Sequence, residues 1–561
     1  MSRTRPTLMT QRRTLLTLSS LAALLLVSGC AGEPEPPAPS DTPTAPSQEP
    51  SPTASSEAAQ LQQYGVAAAH PEAVEAGIQI LADGGNAVDA AIATAFAISV
   101  VEPYASGIGG GGSTLLAAPN MEPVGYDYRE VVAADGRIPD AGTGVPGMVD
   151  GMATLHDAHG SLEWSALLAP AIELADDGFE VTELLAQRLR SDWGPASIEG
   201  LDHFHSGSQP LAAGDTLVQA ELADTLTTIA QQGPEDFYTG TIAQQLTQVD
   251  GLDAQTLQSY ETQEAPPVSG AFGEYEFVSA APPLPGAAII QQLQLAEASG
   301  AADATPGSAE YIDGLSQAWQ TANQSVFDHF GDPNFVDVPT EELTNAQRNS
   351  QLAGPASAER ATPDESRPVI EAGNTTHITV VDASGMTVSM TNTLTSFWGG
   401  AESAYVGGFF LNDQLSRFDV IDTPNNQPEP GRKSVSWSAP SLVLDEQGRV
   451  VMGIGTPGGH QIPNILTAVM VPWALQSTPL QEAVDAPRHS LQDGVLALEE
   501  QPSAEVSDLM RQRGWQPQVT TRADAVFGSV QALEINYDDG SVIGAIDSRR
   551  DADFAVVDVE E

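Results

Sequence analysis

The stretch EAGNTTHITVVD, residues 371–382, sets two threonines between an acidic, glycine-bearing loop and a run of β-branched residues. Thr375 and Thr376 here can be an ordinary strand start, the usual reading of a Thr pair. The alternative is a chain cut before Thr375, which would give that residue a free α-amine beside its hydroxyl. The preceding stretch, AGPASAERATPDESRPVIEAGN (353–374), is poor in apolar side chains and reads as an exposed loop, where a cut disturbs least.

Working outward, HITVVDASGMTVSMTNT predicts a hairpin turning at Ser384–Gly385. Further strands are expected in PSLVLDEQGRVVMGIG, VQALEINYDDGSVIGAI and FAVVDV. Toward the N-terminus, HPEAVEAGIQILADGG predicts a helix from Pro71 to Gly84–Gly85, with Val74, Ile78 and Leu81 on one face. NAVDAAIATAFAISVV is apolar nearly all round, the pattern of a buried helix. It runs into EPYASGIGGGGSTLLAA, whose four glycines lack the GK[ST] ending of a phosphate cradle and suggest close backbone packing around a site. Helical patterns, including WSALLAPAIELADDG and AEYIDGLSQAWQTANQSVFDHF, dominate to about residue 330. Strands at both ends around a helical middle predict an α+β protein, with helices covering a largely antiparallel sheet stack.

The 561 residues suffice for two intimately packed halves, and 41% hydrophobic with 17% charged residues describes a large core. Seventy-five acidic residues against 21 basic ones give a net charge of −54. That field has the wrong sign for binding nucleic acid through its phosphates. One lysine occurs, Lys433, and one cysteine, Cys30. A single cysteine excludes intrachain disulfides, CxxC redox chemistry and cysteine-rich zinc sites. The nine histidines show no metal-ligand spacing, so neither metal nor organic cofactor is expected.

Arg3, Arg5, Arg12 and Arg13, then LLTLSSLAALLLV and VSGC, have the layout of a secretory signal (1–29). Ser28 and Gly29 before Cys30 resemble a lipobox, which implies lipidation of Cys30 and an extracytoplasmic, membrane-anchored protein. An uncleaved anchor is the competing reading, but the apolar run is shorter than the ~20 residues a span requires. The Pro-, Ser- and acid-rich segment over 30–60 reads as a tether.

From about Tyr64 to Asp551, ordered blocks resemble the γ-glutamyltranspeptidases of the N-terminal-nucleophile hydrolases. They are GGNAVDAAIATAFAISVVEP, SGIGGGGSTLL, DYRE, GVPGMV, GDPNFVDVP, TTHITVVD, FFLNDQLSRFD, GTPGGHQI, DAPRH and DSRRD. The resemblance implies a four-layer αββα sandwich whose precursor cuts itself at Asn374–Thr375. The products would be a large chain (61–374) and a small chain (375–561). It implies Thr375 as nucleophile, its freed α-amine (pKa about 7.7–8.0) as base, and Thr393 as the hydroxyl that orients it. Gly458 and Gly459 match the oxyanion pair. Arg129 matches the arginine clamping the substrate α-carboxylate, Ser436 a serine that helps it, and Gln414 a glutamine near the substrate amine.

Three positions depart from that pattern. The family usually has Asn where this chain has Thr395, an aspartate pairing with the substrate ammonium where it has Arg417, and a second serine where it has Trp437. A guanidinium beside an ammonium repels by up to about 4 kcal/mol at 4 Å with an effective dielectric near 20. The segment from Asp419 to Arg432 is also short, which suggests an open site. The resemblance implies γ-glutamyl amides of glutathione type as substrates, with transfer to water or to an amino acid or peptide; the departures are the ground for an alternative. The alternative is glutaryl or internal poly-γ-glutamyl amides, which lack a free α-amine. An idle surface binding protein is the reading from a different class.

Overall fold

In a computed structural model, residues 60–191, 193–353, 374–400, 403–492, 494–520 and 526–559 are described. The signal, Cys30, the tether and most of the loop before Thr375 lie outside the described residues. In chain order the elements that build the site are β1 (Gln63–Ala68), α1 (Pro71–Ala82), α2 (Ala87–Val101), β2 (Gly111–Ala117), β3 (Val124–Asp127) and α3 (Trp164–Asp177). Next come β4 (Gln263–Glu264), β5 (Val268–Phe272), β6 (Tyr275–Ser279), α4 (Gly286–Ala298), α5 (Ala309–His329), β7 (Thr376–Val381) and β8 (Thr387–Thr393). The last are β9 (Ser441–Leu444), β10 (Val450–Gly455), α6 (Ile462–Gln476), β11 (Gln531–Asn536), β12 (Ser541–Ala545) and β13 (Asp553–Asp558).

The strands form two large antiparallel sheets. One is ordered β13-β1-β7-β8-β2-β3-β4, the other β12-β11-β10-β9-β6-β5. Alternation along β7 assigns its faces. Ile378 and Val380 join the cluster built with α1, α2 and α3, while Val381 joins Leu533, Ile535 and Val542 of the other sheet. The second sheet turns Phe277, Val443, Met452 and Ile454 toward α4, α5 and α6. Helices, sheet, sheet, helices is the expected αββα order. The β5–β6 hairpin, inside the stretch read as mainly helical, is an addition. Its strands are five residues each, too short for a clear period beside SGAFG.

Helix α2 shows why the buried reading holds. Every residue from Ala87 to Val101 is buried. Its start is closed by a capping box, in which Asn86 Oδ1 accepts from Val88 N and Asp89 N and Asp89 Oδ2 accepts from Asn86 N. The orphan N–H of Ala87 is taken at 3.0 Å by Asp382 Oδ2, in the β7–β8 turn. Asp382 Oδ1 also accepts from Ser384 N and Met386 N, so one carboxylate pins the hairpin turn to the buried helix.

Polar groups lie between the sheets. His377 Nδ1 is 2.8 Å from Thr391 Oγ1 and Nε2 is 3.2 Å from Thr379 Oγ1. Burial pushes the His377 pKa down to about 3, so the ring is neutral. It fits because residue 455 is glycine, whose missing Cβ would sit 2.2 Å from the ring.

Candidate active site

Register builds the centre of the site. Thr376 opposes Asn392 in the β7–β8 pair, so the preceding residue, Thr375, meets the strand end at Thr393. The two hydroxyls are 3.3 Å apart. Thr393 Oγ1 accepts from Thr395 N at 2.8 Å; since an N–H can only donate, the Thr393 proton is left for the Asn374 carbonyl oxygen, also at 2.8 Å. Thr375 Oγ1 donates to that same carbonyl. The carbonyl oxygen of the Asn374–Thr375 peptide bond therefore receives two hydroxyl donors, from Thr375 and Thr393.

The glycine run supports this centre from behind. A Cβ on Gly110 would fall 2.2 Å from Thr393 O, and one on Gly112 the same distance from Asn392 Oδ1. Close backbone packing, the use read from sequence, is what these glycines permit.

Thr375 and Thr393 open onto a small cavity, which Thr395, Gln414, Arg417, Ser436, Trp437 and Gly459 also line. Gly458 does not line it; its φ of +142° shapes the turn that presents Gly459. Thr395 holds a left-handed φ of +79° and donates from Oγ1 to Gln414 Oε1. Gln414 Nε2 in turn donates to Ser434 Oγ at 2.9 Å. Trp437 packs edge-on against His460, 4.4 Å between ring centres, and against Trp319 at 5.9 Å, so its indole is a fixed wall.

Arg129 sits differently from the carboxylate clamp expected of it. It is fully buried and is not among the residues lining the cavity. Its Nη2 donates to Asp127 Oδ2 at 2.8 Å, its Nε to Asp127 Oδ1 at 3.1 Å, and its Nη1 to Ser434 O at 2.9 Å. Lys433 adds a second cation, with Nζ donating to Asp127 O at 2.8 Å and lying 3.2 Å from Asp127 Oδ1. Burial opposes ionisation of Asp127, but these two cations hold its pKa well below the usual carboxylate range. Arg129 thus braces the Ser434–Gln414 side of the cavity, and Arg417 is the arginine that lines it.

Asp413 was not singled out in the sequence. It is buried, and Oδ1 accepts from Ser396 N at 2.9 Å. Burial raises its pKa, while the Ser396 hydrogen bonds and the Arg417 charge pull it back. Asp413 and Arg417 thus lie near enough for their charges to interact. Asp413 stands beside Gln414 in the block FFLNDQLSRFD, a signal that was present. Ser434, and Ser438 on the cavity wall, lacked one, being ordinary serines in a serine-rich stretch.

Comparison with known proteins finds relatives over most of the chain. A capsule biosynthesis protein CapD proenzyme of Bacillus anthracis is 35% identical over 87% of this chain and 89% of its own. A glutathione hydrolase proenzyme of Escherichia coli (strain K12) is 32% identical over 86% of this chain and 90% of its own. The solved cephalosporin acylase from Bacillus halodurans shares the fold at a TM-score of 0.77 and 23% identity, covering 91% of this chain and 98% of that one. The family profile described as Gamma-glutamyltranspeptidase matches residues 73–557, which include the Thr375–Thr393 centre and each of the lining residues just named. With that span matched, the chain belongs to the gamma-glutamyltranspeptidase family.

Proposed function

We propose that the chain is a self-processing threonine hydrolase that cleaves γ-glutamyl amides through an acyl-enzyme. The observation that carries this is the pairing of Thr375 and Thr393 around the Asn374 carbonyl. In the first step Thr375 Oγ adds to the Asn374 carbonyl carbon and its proton passes to the departing nitrogen. The C–N bond breaks and an ester forms. Water then hydrolyses the ester, leaving a carboxylate on Asn374 and a free α-amine on Thr375.

That amine is the base of the second reaction. With a pKa of about 7.7–8.0 it is partly neutral near pH 7–8 and takes the proton of its own hydroxyl. The oxygen attacks the γ-amide carbonyl, the proton passes to the leaving amine, and a γ-acyl ester remains. Water or an amino-acid or peptide amine then accepts the acyl group. Backbone N–H groups at Gly458 and Gly459 are the proposed oxyanion donors.

A second reading is favoured by Arg417 on the cavity wall. An acyl group with a carboxylate and no free amine, glutaryl or an internal poly-γ-glutamyl unit, suits that guanidinium. Relatives named acylases, such as the Acylase ACY 1 proenzyme of Pseudomonas sp. (strain SE83) at 32% identity, support keeping it. The arginine-rich N-terminus and Cys30 further support export and lipid anchoring, with the membrane as the chain's attachment.

A denaturing gel of wild type and Thr375→Ala tests self-processing. The expected result is a fragment running from 375 to 561 in wild type alone. Incubation with γ-glutamyl, glutaryl and poly-γ-glutamyl amides then ranks the substrates; normal cutting with turnover of none would make the protein a binder instead.

A further inference from the structure

The bond at Asn374–Thr375 is held on both sides by residues outside the cavity. On the acyl side, Asn374 Nδ2 donates to the Tyr104 carbonyl, which also accepts from Trp398 N at 3.0 Å. On the amine side, Arg550 Nη1 donates to the Thr375 carbonyl at 3.4 Å. Glu102 lies near both grips: it hydrogen-bonds the side chain of Tyr104, and the Arg550 charge acts on it. It caps the C-terminus of α2 and is 1% exposed. Oε1 accepts from the Tyr104 hydroxyl at 2.7 Å. Oε2 and the Thr376 hydroxyl each lack a hydrogen-bond partner of ordinary length among the described residues.

The groups acting on Glu102 come from three parts of the chain. Tyr104 lies on its own turn, Thr376 opens β7, and Arg550 and Asp551 precede β13. Arg188 stands behind, its guanidinium 5.9 Å from the centre of the Tyr104 ring and 4.6 Å from that of Phe397. A carboxyl sealed in this place with one hydrogen bond is costly to a helix end that water could satisfy. The neighbours it does have are those that hold the residues around the cut.

We propose that Glu102 is a positioning residue for self-cleavage: as a carboxylate it steadies Arg550 and the Thr375–Thr376 backbone, keeping the Asn374 carbonyl aligned with the Thr375 hydroxyl. The inference rests on the reading that Thr375 cuts its own peptide bond. Burial raises the Glu102 pKa to about 6, against the lowering by Tyr104, Arg550 and Thr376. The aligned form is therefore present above that pH and lost below it. In the uncut chain the Thr375 nitrogen is an amide, so an acid limb in self-cleavage cannot come from the α-amine that serves the mature enzyme. Tyr104 lowers the Glu102 pKa through its hydrogen bond, and losing that hydroxyl moves the limb upward.

The test uses full-length precursor from cell-free translation, moved into buffers from about pH 5 to 9 and sampled on denaturing gels. Wild type is expected to cut more slowly below about pH 6. Tyr104→Phe should shift that midpoint to higher pH. Glu102→Gln should flatten the profile and slow cutting at neutral pH by at least about tenfold, and Glu102→Asp should restore a limb. A Glu102→Gln rate within twofold of wild type at every pH overturns the proposal, as does an acid limb that survives in that variant at an unchanged midpoint. If Glu102→Gln does not fold, Tyr104→Phe decides alone, and an unmoved midpoint overturns the proposal. Thr375→Ala run alongside separates the two failures: cutting in that variant sinks the self-processing reading itself.

Discussion

The Thr393 hydroxyl donates to the Asn374 carbonyl oxygen at 2.8 Å while accepting from Thr395 N at the same distance. Both hydrogen-bonding roles of that oxygen are assigned, so Thr393 is set to polarise the carbonyl that Thr375 would attack in the proposed cleavage. Removing one donor from a developing oxyanion costs about 2.7–4 kcal/mol, or 100- to 1,000-fold in rate. Thr393→Val should slow fragment formation by that order, and Thr393→Ser should retain most of it. Timed gels check both; a valine variant that cuts at the wild-type rate would remove Thr393 from the step.

In the proposed function, Arg417 on the cavity wall reads the amine position of the acyl group. Arg417→Asp should turn repulsion of a free substrate ammonium into attraction, raising kcat/KM for γ-glutamyl relative to glutaryl amides at least about tenfold. The nearby Asp413, whose titration the Arg417 charge already influences, limits the change. An unaltered ratio of the two kcat/KM values would show that Arg417 does not read the amine position.

Glu130 is fully buried and neither carboxyl oxygen has a hydrogen-bond partner among the described residues. Burial pushes its pKa up to about 8. An acid with a raised folded-state pKa favours the unfolded chain increasingly as pH climbs from the unfolded value of about 4.3 toward 8. Glu130→Gln should therefore gain stability relative to wild type across that window, whatever its fixed packing cost. Urea midpoints at pH 5 and pH 8 measure it, and a difference that does not grow with pH would contradict the assignment.

Thr395 is β-branched and left-handed, with φ at +79°. Asparagine tolerates that conformation far better. Thr395→Asn should stabilise the protein by about 1 kcal/mol, visible as a higher melting temperature, while its side-chain amide can still donate to Gln414. A lower melting temperature would mean that the hydroxyl contact outweighs the backbone relief.

Local pattern reached far into this protein. The β7–β8 hairpin, the buried α2 and the tight glycine run all follow from period, caps and side-chain volume. Arg129 shows what motif reading leaves out, its partners within the fold. Asp127 and Arg129 are two apart on extended backbone and face the same way, so DYR already held the pair that occupies the guanidinium. The link from Arg129 through Ser434 to Gln414 was not readable, since it joins segments some 300 residues apart in sequence. Nor was the nearness of Arg417 to Asp413, which depends on how a single short helical turn (Arg417–Val420) sits.

The burial of Lys433 has a practical consequence. It is the chain's one lysine, and its ammonium is sealed against Asp127 with 2% of the side chain exposed. The folded surface thus offers amine-directed reagents no lysine ε-amino group, and activated esters or aldehydes are left with terminal amines alone. The proposed cut would add one such terminus at residue 375, so uptake by native protein beyond that of the chain's own N-terminus would report molecules that have been cut.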